Sequence, residues 1–387
     1  MKVRARCLAV SDERKPNRRK RNTAIKLRVY PTAEQAAQID KTFDCCRFLW
    51  NQMLSDEQEF YAATGEHFIP APARYKKDFP FLKEADSLAL ASVHQNLRRA
   101  FQKFFDQPGN YRYPVFKRKD NARGSYTTYC QYFKSGPTVY LTDEGIRLPK
   151  LGILRANFHR KPLHWWTLKS ATISKTATEK YFCSLLFEFE EEIPKPVVPK
   201  EDTTLGVNFS AARIYVDSEG CVGEIPPHIL KSQEKLRSAQ RKLSRMERGS
   251  KNYEQQLQKV RALNEHIANQ RRDHLHKESR RMADAYDAVC VSDVDLREAA
   301  RKMKRAVDAG YGELRIQLAY KLEQQGKPFI TVKKFSPTAR TCSHCGYENP
   351  EVSAAKSWKC EKCGAKIDRA VNSAANIKKF GLAQYDQ

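Results

Sequence analysis

The sequence lacks any long apolar stretch, since no run approaches the about 18 uninterrupted apolar residues that a membrane-spanning helix needs. The N-terminal segment is polar and basic and lacks the apolar core of a secretory signal peptide. These two absences argue against a membrane-spanning or exported protein. They predict a soluble protein of the cytoplasm.

Acidic residues are scarce relative to basic ones. The chain has 70 Lys and Arg against 45 Asp and Glu, a formal net charge of +25. A positive field of this size attracts phosphate, so nucleic acid is the leading class of partner. The alternatives are a merely basic protein and a membrane-surface protein, and no basic amphipathic anchor supports the second.

A regular disulfide framework is also missing from the 11 cysteines. Four of them form one late cluster, and an odd, irregularly spaced remainder indicates reduced thiols. These remaining cysteines are Cys7, Cys45, Cys46, Cys130, Cys183, Cys221 and Cys290. With 387 residues, 41% of them hydrophobic, the chain is long enough for two or three folded domains.

The late cluster has the spacing of a zinc site. Its members, in a C-x2-C-x14-C-x2-C pattern with a glycine after each pair, are Cys342, Cys345, Cys360 and Cys363. Each C-x2-C pair forms a zinc knuckle, and two knuckles bring four thiolates to one tetrahedral Zn²⁺. Because no coordination position then remains open, the pattern predicts a structural ion. A redox dithiol or coincidence is the alternative, and His344 is interpreted as a surface residue of the knuckle.

The first half of the chain changes pattern twice. A basic arm at 1–22 precedes a strand-like run at 23–30, and a helical region follows. Apolar residues at three-to-four spacing mark an amphipathic helix there, namely Val93, Leu97, Phe101, Phe104 and Phe105. Short β-rich runs from about 125 to 189 then predict a small antiparallel barrel or sheet.

A Pro-rich, charged linker at 190–201 separates the second half. Three short strands come next, then a long polar helical stretch from about 229 to 285, which is either a solvated helical hairpin or the lining of a nucleic-acid channel. A strand at 287–292 and further helices at 313–325 and 370–380 complete an α/β layered pattern.

Segments 205–220, 289–296 and 335–377 resemble, in order, the TnpB family of transposon-encoded RNA-guided nucleases, relatives of the type V CRISPR effectors. The stretch 309–332 is similar to the helix and strand that precede the zinc ribbon in that family. The first half looks more loosely like its wedge barrel and helical recognition lobe. The resemblance therefore covers nearly the whole chain.

This resemblance implies a multidomain α+β fold. A wedge-type β-barrel with a helical recognition lobe would precede a RuvC-like, RNase H-type α/β domain with an inserted zinc ribbon. The implied boundaries are a flexible arm at 1–22, a barrel at 23–189 with the lobe at about 32–110, a linker at 190–201, a RuvC-like domain at 202–334 and 366–387 with a helical hairpin at about 229–285, and a zinc ribbon at 335–365.

In that family three carboxylates hold two Mg²⁺ ions for phosphodiester hydrolysis. The matching positions here are Asn208, Ser292 and Ala370. The resemblance therefore predicts an inactivated homologue of a RuvC-type nuclease: not an enzyme, with no catalytic Mg²⁺, like the TnpB-like nuclease-dead repressors. Three different replacements favour natural drift over an engineered knockout.

Neighbouring acids are the possible substitutes for those carboxylates. Asp293 follows Ser292 directly and would point to the opposite face of the strand. Asp368 remains the best candidate for a weak residual ligand. An active nuclease with a relocated metal site would have to use Asp217, Asp293, Asp295 or Asp368.

The sequence-based hypothesis is an RNA-guided, sequence-directed DNA-binding protein without nuclease activity. It would repress transcription by occupying a target site next to a short flanking motif. Its partners would be a guide RNA and double-stranded target DNA, with no membrane, in the bacterial cytoplasm and on the nucleoid when bound to DNA. The alternatives are an active RNA-guided DNA endonuclease and an RNA-binding regulator of transposition.

The family layout also suggests where nucleic acid would be contacted. The candidate residues are Gln95, Asn96, Arg99, Lys117, Arg118, Lys119, Tyr126 and Thr127. The alternative for these residues is an ordinary solvated helix face and an ordinary strand.

Overall fold

The computed structural model describes residues 18–119, 124–209, 213–293, 310–333, 336–351 and 357–385. The chain divides into two compact units, Met1–Glu192 and Ile193–Gln387. None of the helices within the described ranges is both long enough and apolar enough to cross a membrane.

The first unit contains an antiparallel sheet, with three α-helices and a short 3-10 helix (Pro80–Glu84) inserted after its first strand. Its strands are β1 (Arg18–Tyr30), β2 (Gly124–Tyr129), β3 (Tyr132–Phe133), β4 (Gly136–Pro137), β5 (Tyr140–Leu141), β6 (Gly145–Leu148), β7 (Gly152–Asn157), β8 (Thr167–Lys175) and β9 (Tyr181–Glu192). Seven of them form an open half-barrel in the order β2-β8-β9-β1-β7-β6-β5, while β3 and β4 pair separately.

The inserted helices share one hydrophobic core with this sheet. They are α1 (Ala33–Thr64), α2 (Pro72–Asp78) and α3 (Ser87–Asp106). Helix α1 begins with a capping box between Thr32 and Gln35, which satisfies two backbone N–H groups at its start. The shared core includes Leu27 of β1, Leu49 of α1 and Leu97 of α3, all fully buried. The helices are therefore part of the sheet's core and not a separate body.

Helix α3 differs in one position from the predicted amphipathic face. Val93, Leu97 and Phe101 are buried and Phe104 is half-buried, but Phe105 is 47% exposed. Each four-residue step along a 3.6-residue helix advances about 40° around the axis. Three such steps carry Phe105 past the edge of the buried face, which the apolar pattern alone did not reveal.

The two ends of the first unit pair with each other in a way that the sequence did not predict. Residues 18–22, expected in the arm, begin β1, and residues 190–192, expected in the linker, end β9. Arg19 and Arg21 both form ion pairs with Glu191, at 3.1 and 2.7 Å. Opposite charges across neighbouring strands extend the pairing where apolar periodicity is absent.

The second unit is an α/β domain with a mixed sheet. Its strands are β10 (Thr204–Phe209), β11 (Tyr215–Asp217), β12 (Val222–Gly223), β13 (Ala288–Ser292), β14 (Phe329–Val332), β15 (Ser357–Lys359) and β16 (Lys366–Asp368). The five-stranded sheet has the order β12-β11-β10-β13-β14, with β10, β13 and β14 mutually parallel. Strands β15 and β16 form a separate hairpin.

Helices cover both faces of this sheet. They are α4 (Pro227–Ser244), α5 (Lys251–Ala285), α6 (Tyr311–Glu323) and α7 (Arg369–Tyr385). Val289 and Val291 pack with apolar residues of α5 and α6, whereas the intervening Cys290 packs with Ile377 of α7. Gly206 lets α7 approach closely, because a Cβ there would overlap the carbonyl oxygen of Ala374.

A buried lysine lies between α5 and α6. Lys321 is 3% exposed, and its Nζ donates to the His276 carbonyl at 2.7 Å and to Ser279 Oγ at 2.6 Å. Burial, followed by the nearby Arg280, lowers the pKa of Lys321 to about 8. The folded protein therefore releases this proton at a lower pH than the unfolded chain does.

The buried lysine predicts a pH-dependent stability difference. Between about pH 8 and 10.5 the unfolded state binds the extra proton, so the Lys321 contribution to the free energy of unfolding rises with pH. The stability of the protein relative to Lys321→Met should therefore increase across this window in denaturant unfolding. A Lys321→Met difference that is flat with pH contradicts the prediction.

Candidate nucleic-acid interface and metal centres

A cavity of about 780 Å³ lies in the first unit, among α1, α3, β2, β8 and the segment 117–119. Its charged and polar lining includes Asp40, Asp44, Arg47, Asn96, Lys117, Arg118, Lys119, Ser125, Thr127 and Lys175. Five of these residues are basic and two are acidic. The cavity therefore offers an excess of positive charge together with hydrogen-bonding groups.

The basic segment of the cavity is fixed to helix α1. The Asn51 side chain accepts a hydrogen bond from the Lys117 backbone N–H at 2.7 Å and donates one to the Lys117 carbonyl at 2.9 Å. Trp50 Nε1 donates to the Val115 carbonyl at 3.1 Å. The Lys117 ammonium lies 3.7 Å from the centroid of the Trp50 ring, and burial lowers the pKa of Lys117. This segment is thus held in position before any ligand arrives.

The two acids neutralise only part of the cavity's charge. Asp44 forms ion pairs with Arg47 at 3.0 Å and with Lys119 at 3.2 Å, and Asp40 pairs with Lys175 at 3.0 Å. Within the described ranges, neither Lys117 nor Arg118 has a carboxylate in ion-pair contact. These two cations are the ones left for an external anion.

The structure brings six of the eight predicted nucleic-acid residues to this cavity: Asn96, Lys117, Arg118, Lys119, Tyr126 and Thr127. Gln95 and Arg99 are exposed on α3 and do not line it. Tyr126 is 5% exposed and packs edge-on against Phe43, so its ring belongs mainly to the core. Thr127 Oγ1 is 2.8 Å from Thr172 Oγ1.

Sequence reasoning missed the other half of the cavity. Arg47 of α1 and Lys175 of β8 lie far from residues 117–119 along the chain, and so do the acids that pair with them. No local pattern marks these residues, because only the packing of α1 against the sheet makes them neighbours.

The three positions that match the family's carboxylates meet at one edge of the second unit's sheet. Val207 and Val291 are register partners in the parallel pair β10–β13, so Asn208 and Ser292 follow side by side at the carboxyl ends of their strands. Asn208 Nδ2 donates to the Ala370 carbonyl at 3.4 Å, at the start of α7. The carboxyl edge of parallel strands is where α/β domains place their sites.

The neighbouring acids differ in burial and in their hydrogen-bond partners. Asp217 is 1% exposed, its Oδ1 accepts from the backbone N–H groups of Glu219 and Cys221, and burial raises its pKa. Asp368 caps α7 by accepting from the N–H groups of Ala370 and Val371, while Asp293 is exposed. Asp295 lies outside the described residues.

Among the described residues, Asp217, Asp293 and Asp368 do not belong to one metal-binding group. Of the residues that the structure describes, only the four late cysteines form a group of three or more Cys, His, Asp or Glu side chains able to hold one metal ion.

The four-cysteine cluster has the dimensions of a zinc site. The Sγ atoms of Cys342, Cys345, Cys360 and Cys363 all lie within 4.8 Å of one another. Cys342 Sγ is 3.7 Å from Cys363 Sγ, and Cys345 Sγ is 3.6 Å from Cys360 Sγ. Tetrahedral Zn–S bonds of about 2.3 Å place sulfur atoms about 3.8 Å apart. The donor set and its spacing therefore fit a structural zinc ion.

The two knuckles repeat one backbone geometry. Gly346 N donates to the Cys342 carbonyl and Gly364 N to the Cys360 carbonyl, both at 2.9 Å. The two glycines have φ of +75° and +70°, a left-handed conformation that favours glycine. Backbone donation by Cys363 lowers the pKa of Cys360 to about 7, the direction that favours a thiolate ligand.

Two asparagines fasten this ribbon to α7. Asn372 and Asn376 are 3% and 2% exposed, one helical turn apart. Asn372 accepts from the Ser343 N–H at 2.8 Å and donates to the Thr341 carbonyl at 2.8 Å. Asn376 donates to the carbonyls of Thr341 and Thr338 at 2.6 and 2.8 Å. The first knuckle is thereby tied to the helix that begins at the sheet edge.

Removing this attachment should destabilise the ribbon. Asn376→Ala removes two hydrogen bonds, to the Thr341 and Thr338 carbonyls, each contributing about 0.5–1.5 kcal/mol, while Asn372 still donates to the same carbonyls at 2.8 and 3.5 Å. We expect a lower free energy of unfolding and faster amide exchange at the first knuckle, measured by denaturant unfolding and hydrogen exchange. Asn264→Ala is the matched control, since that amide donates only within its own helix. Equal losses of stability and equal amide exchange in the two variants would show that Asn376 does not hold the ribbon to α7.

The half-barrel with inserted helices, the α/β unit and the cysteine ribbon together define a class of multidomain fold seen in a solved structure. A chain from the "Cryo-EM structure of the Cas12f1-sgRNA-target DNA complex" superposes with a TM-score of 0.58, covering 93% of this chain and 99% of that one. At 12% sequence identity, this likeness concerns the fold alone.

Sequence comparisons give the family. Family models match at 21–66 ("Helix-turn-helix domain"), 184–303 ("Probable transposase") and 311–377 ("Cas12f1-like, TNB domain"). A Streptomyces pristinaespiralis protein named "Putative RNA-guided DNA endonuclease" is 30% identical over 376 residues, 93% of this chain and 89% of the relative. InsQ of Escherichia coli K12, of the same description, is 27% identical and covers 94% and 93%. The chain belongs to this TnpB family, the OrfB proteins of IS605 elements.

The family corrects one prediction. The chain was expected not to be an enzyme, but its relatives are named DNA endonucleases, which are enzymes, and that expectation is wrong. It rested on Asn208, Ser292 and Ala370, with the neighbouring acids judged unable to replace the three carboxylates. Hard metal ions also accept amide, hydroxyl and carbonyl oxygens as ligands, so uncharged residues at three positions do not decide the class of a protein.

Proposed function

We propose that this chain is an RNA-guided DNA-targeting protein. It binds a guide RNA, engages duplex DNA next to a short flanking motif, and occupies the site that is complementary to the guide. Occupancy of a target near a promoter blocks transcription. The protein acts in the bacterial cytoplasm, on the nucleoid.

The observation that carries the proposal is the fixed basic cavity of the first unit. The backbone of Lys117 is clamped by Asn51, while Lys117 and Arg118 lack carboxylate partners among the described residues. Cations that are fixed in position and not neutralised can contact phosphates. The Asn96 amide on the facing helix can form hydrogen bonds with a base edge, because it both donates and accepts. The structural neighbour is a Cas12f1 complex with sgRNA and target DNA, and the relatives are named RNA-guided DNA endonucleases.

The finer domain assignment is part of the proposal. The half-barrel is the wedge domain with the inserted helices as its recognition lobe, and the α/β unit is RuvC-like. The ribbon holds zinc. The parallel strands, with α7 on one face and α5 and α6 on the other, support the RuvC-like assignment.

The direct test is guide-dependent DNA binding. The protein is purified with its bound RNA, the RNA is sequenced, and labelled duplexes matched or mismatched to its guide are titrated. We expect tight binding only to matched duplexes that carry the flanking motif, with mismatches beside the motif most damaging. Equal binding to matched and mismatched duplexes would reject the proposal. A reporter with the matched site in its promoter then measures repression.

DNA cleavage is a second candidate, favoured by the names of the relatives. The same complex is incubated with matched plasmid and Mg²⁺. Strand breaks that require both the match and the metal would support it. An intact plasmid under saturating, match-dependent binding would leave occupancy as the supported function.

A further inference from the structure

The outer part of the α4–α5 hairpin, residues 231–261, carries an unusual charge, and we call it the hairpin tip. It contains ten basic residues and three acidic ones. The basic residues are Lys231, Lys235, Arg237, Arg241, Lys242, Arg245, Arg248, Lys251, Lys259 and Arg261. All but Arg261 are exposed, and Arg261 is partly exposed.

The hairpin tip contrasts with the inner part of the same helix. Farther along α5, basic side chains have carboxylate partners, as in Arg272–Glu313 at 3.4 Å, Lys277–Asp273 at 2.7 Å and Arg281–Glu278 at 3.1 Å. Throughout the described part of the chain, no carboxylate forms an ion pair with any of the ten cations of the tip. An ordinary solvated helix face usually mixes both signs, so the one-sided charge of the tip needs a different explanation.

The hairpin tip is ordered although it contributes nothing to the unit's main hydrophobic cluster. Gln256 is 6% exposed, and its Nε2 donates to the Ala239 carbonyl at 2.9 Å, which ties α5 to α4. Ser250 caps α5 by accepting from Tyr253 N at 3.1 Å. The two helices therefore present their cations on a defined scaffold.

Three exposed arginines form a row along α4, the last of them, Arg245, being the residue at its C-terminal cap. Arg237, Arg241 and Arg245 are four residues apart, which places each about 6 Å from the next along the helix axis. Side chains of this length reach neighbouring phosphates at such a spacing. Arginine also matches phosphate with paired N–H donors, so the row suits a continuous sugar-phosphate backbone.

We propose that the hairpin tip is a second nucleic-acid contact, in addition to the cavity of the first unit. It binds the phosphodiester backbone without reading bases. The class of partner rests on the proposed function, whereas the place of contact rests on the charge and geometry of the tip. Guide RNA and target DNA share this backbone chemistry.

The test removes the row and compares it with a matched set. The tip variant carries Arg237→Gln, Arg241→Gln and Arg245→Gln. The control variant carries Arg272→Gln, Lys277→Gln and Arg280→Gln, which removes the same number of charges from ion-paired positions on α5. Circular dichroism and thermal unfolding verify that both full-length proteins fold. A stem-loop RNA and a DNA duplex, neither complementary to any guide, are titrated at several salt concentrations.

We expect the tip variant to bind at least one probe about 10-fold or more weakly near 0.1 M salt. Its slope of log affinity against log salt should fall by about 0.7–0.9 for each phosphate that the variant no longer neutralises, while the control keeps its slope. Weaker binding of the stem-loop alone assigns the tip to RNA, and weaker binding of the duplex alone assigns it to DNA. A third variant with Lys at the three positions should restore most of the affinity.

Unchanged slopes for the tip variant with both probes, or equal losses of affinity in tip and control variants, would overturn the inference. Neither result would change the outcome of the matched-target test, because that test compares matched and mismatched duplexes with the unaltered protein. If that test fails instead, the unrelated probes still report on the tip.

Discussion

Cys360→Ser is expected to deprive the ribbon of zinc and to unfold it. Its Sγ completes a four-sulfur set with spacing suited to one tetrahedral ion, and few apolar residues pack around the cluster. Zinc binding supplies about 10 kcal/mol or more to the folding of small zinc domains, so a missing thiolate removes most of what holds the ribbon. Zinc content by mass spectrometry should fall to near zero, with rapid proteolysis inside 336–365.

The matched control for this prediction is Cys221→Ser, which alters an exposed thiol outside the cluster. It should retain full zinc and resist proteolysis as the parent does. Because Asn372 and Asn376 join the first knuckle to α7, we also expect faster amide exchange at the start of α7 in Cys360→Ser. Full zinc content in Cys360→Ser would show that the cluster is not the metal site.

The triple variant Lys117→Gln, Arg118→Gln, Lys119→Gln should lose most nucleic-acid affinity. It removes the two cations of the cavity that have no carboxylate partner among the described residues, together with Lys119, which shares Asp44 with Arg47. Leaving three phosphates without a cation lowers affinity about 100-fold near 0.1 M salt and reduces the salt slope by about 2–3. The measurement is a titration of the matched duplex with the RNA-loaded protein at several salt concentrations.

A second triple variant, Arg74→Gln, Lys77→Gln, Lys83→Gln, serves as the control for the cavity. These residues are exposed in the same unit and do not line the cavity. It removes the same charge, so it should bind within a few-fold of the parent. If its affinity fell as far as that of the cavity variant, net charge and not the cavity would account for binding.

Features encoded over short stretches were the predictable ones. The spacing of the four cysteines and the glycine after each pair led directly to the ribbon and its left-handed turns. The apolar period of α3 was correct for Val93, Leu97 and Phe101, and failed at Phe105, where helical drift moves the side chain off the buried face. The charged ends of the first unit were misread, because their pairing is held by ion pairs between distant residues.

At the sheet edge, the family resemblance identified three positions, and the structure showed how they lie relative to one another. The family pattern singled out Asn208, Ser292 and Ala370, and the fold places Asn208 beside both of the others, through strand register and one hydrogen bond. The inference from these residues to a protein that is not an enzyme was wrong. It inferred a lack of enzymatic activity from the residues at three positions, whereas the relatives are named endonucleases.

By itself, the sequence determined the positive charge, the metal-binding cysteines, the alternation of strands and helices, and the family. Each is a property of composition or of residues close together in the chain. Only the tertiary structure decided which cations remain available to a ligand. Whether Lys117 or Arg241 meets a carboxylate depends on contacts between distant segments. Among the residues that the structure describes, those contacts neutralise Lys175 and Arg272 but not Lys117, Arg118 or the cations of the hairpin tip.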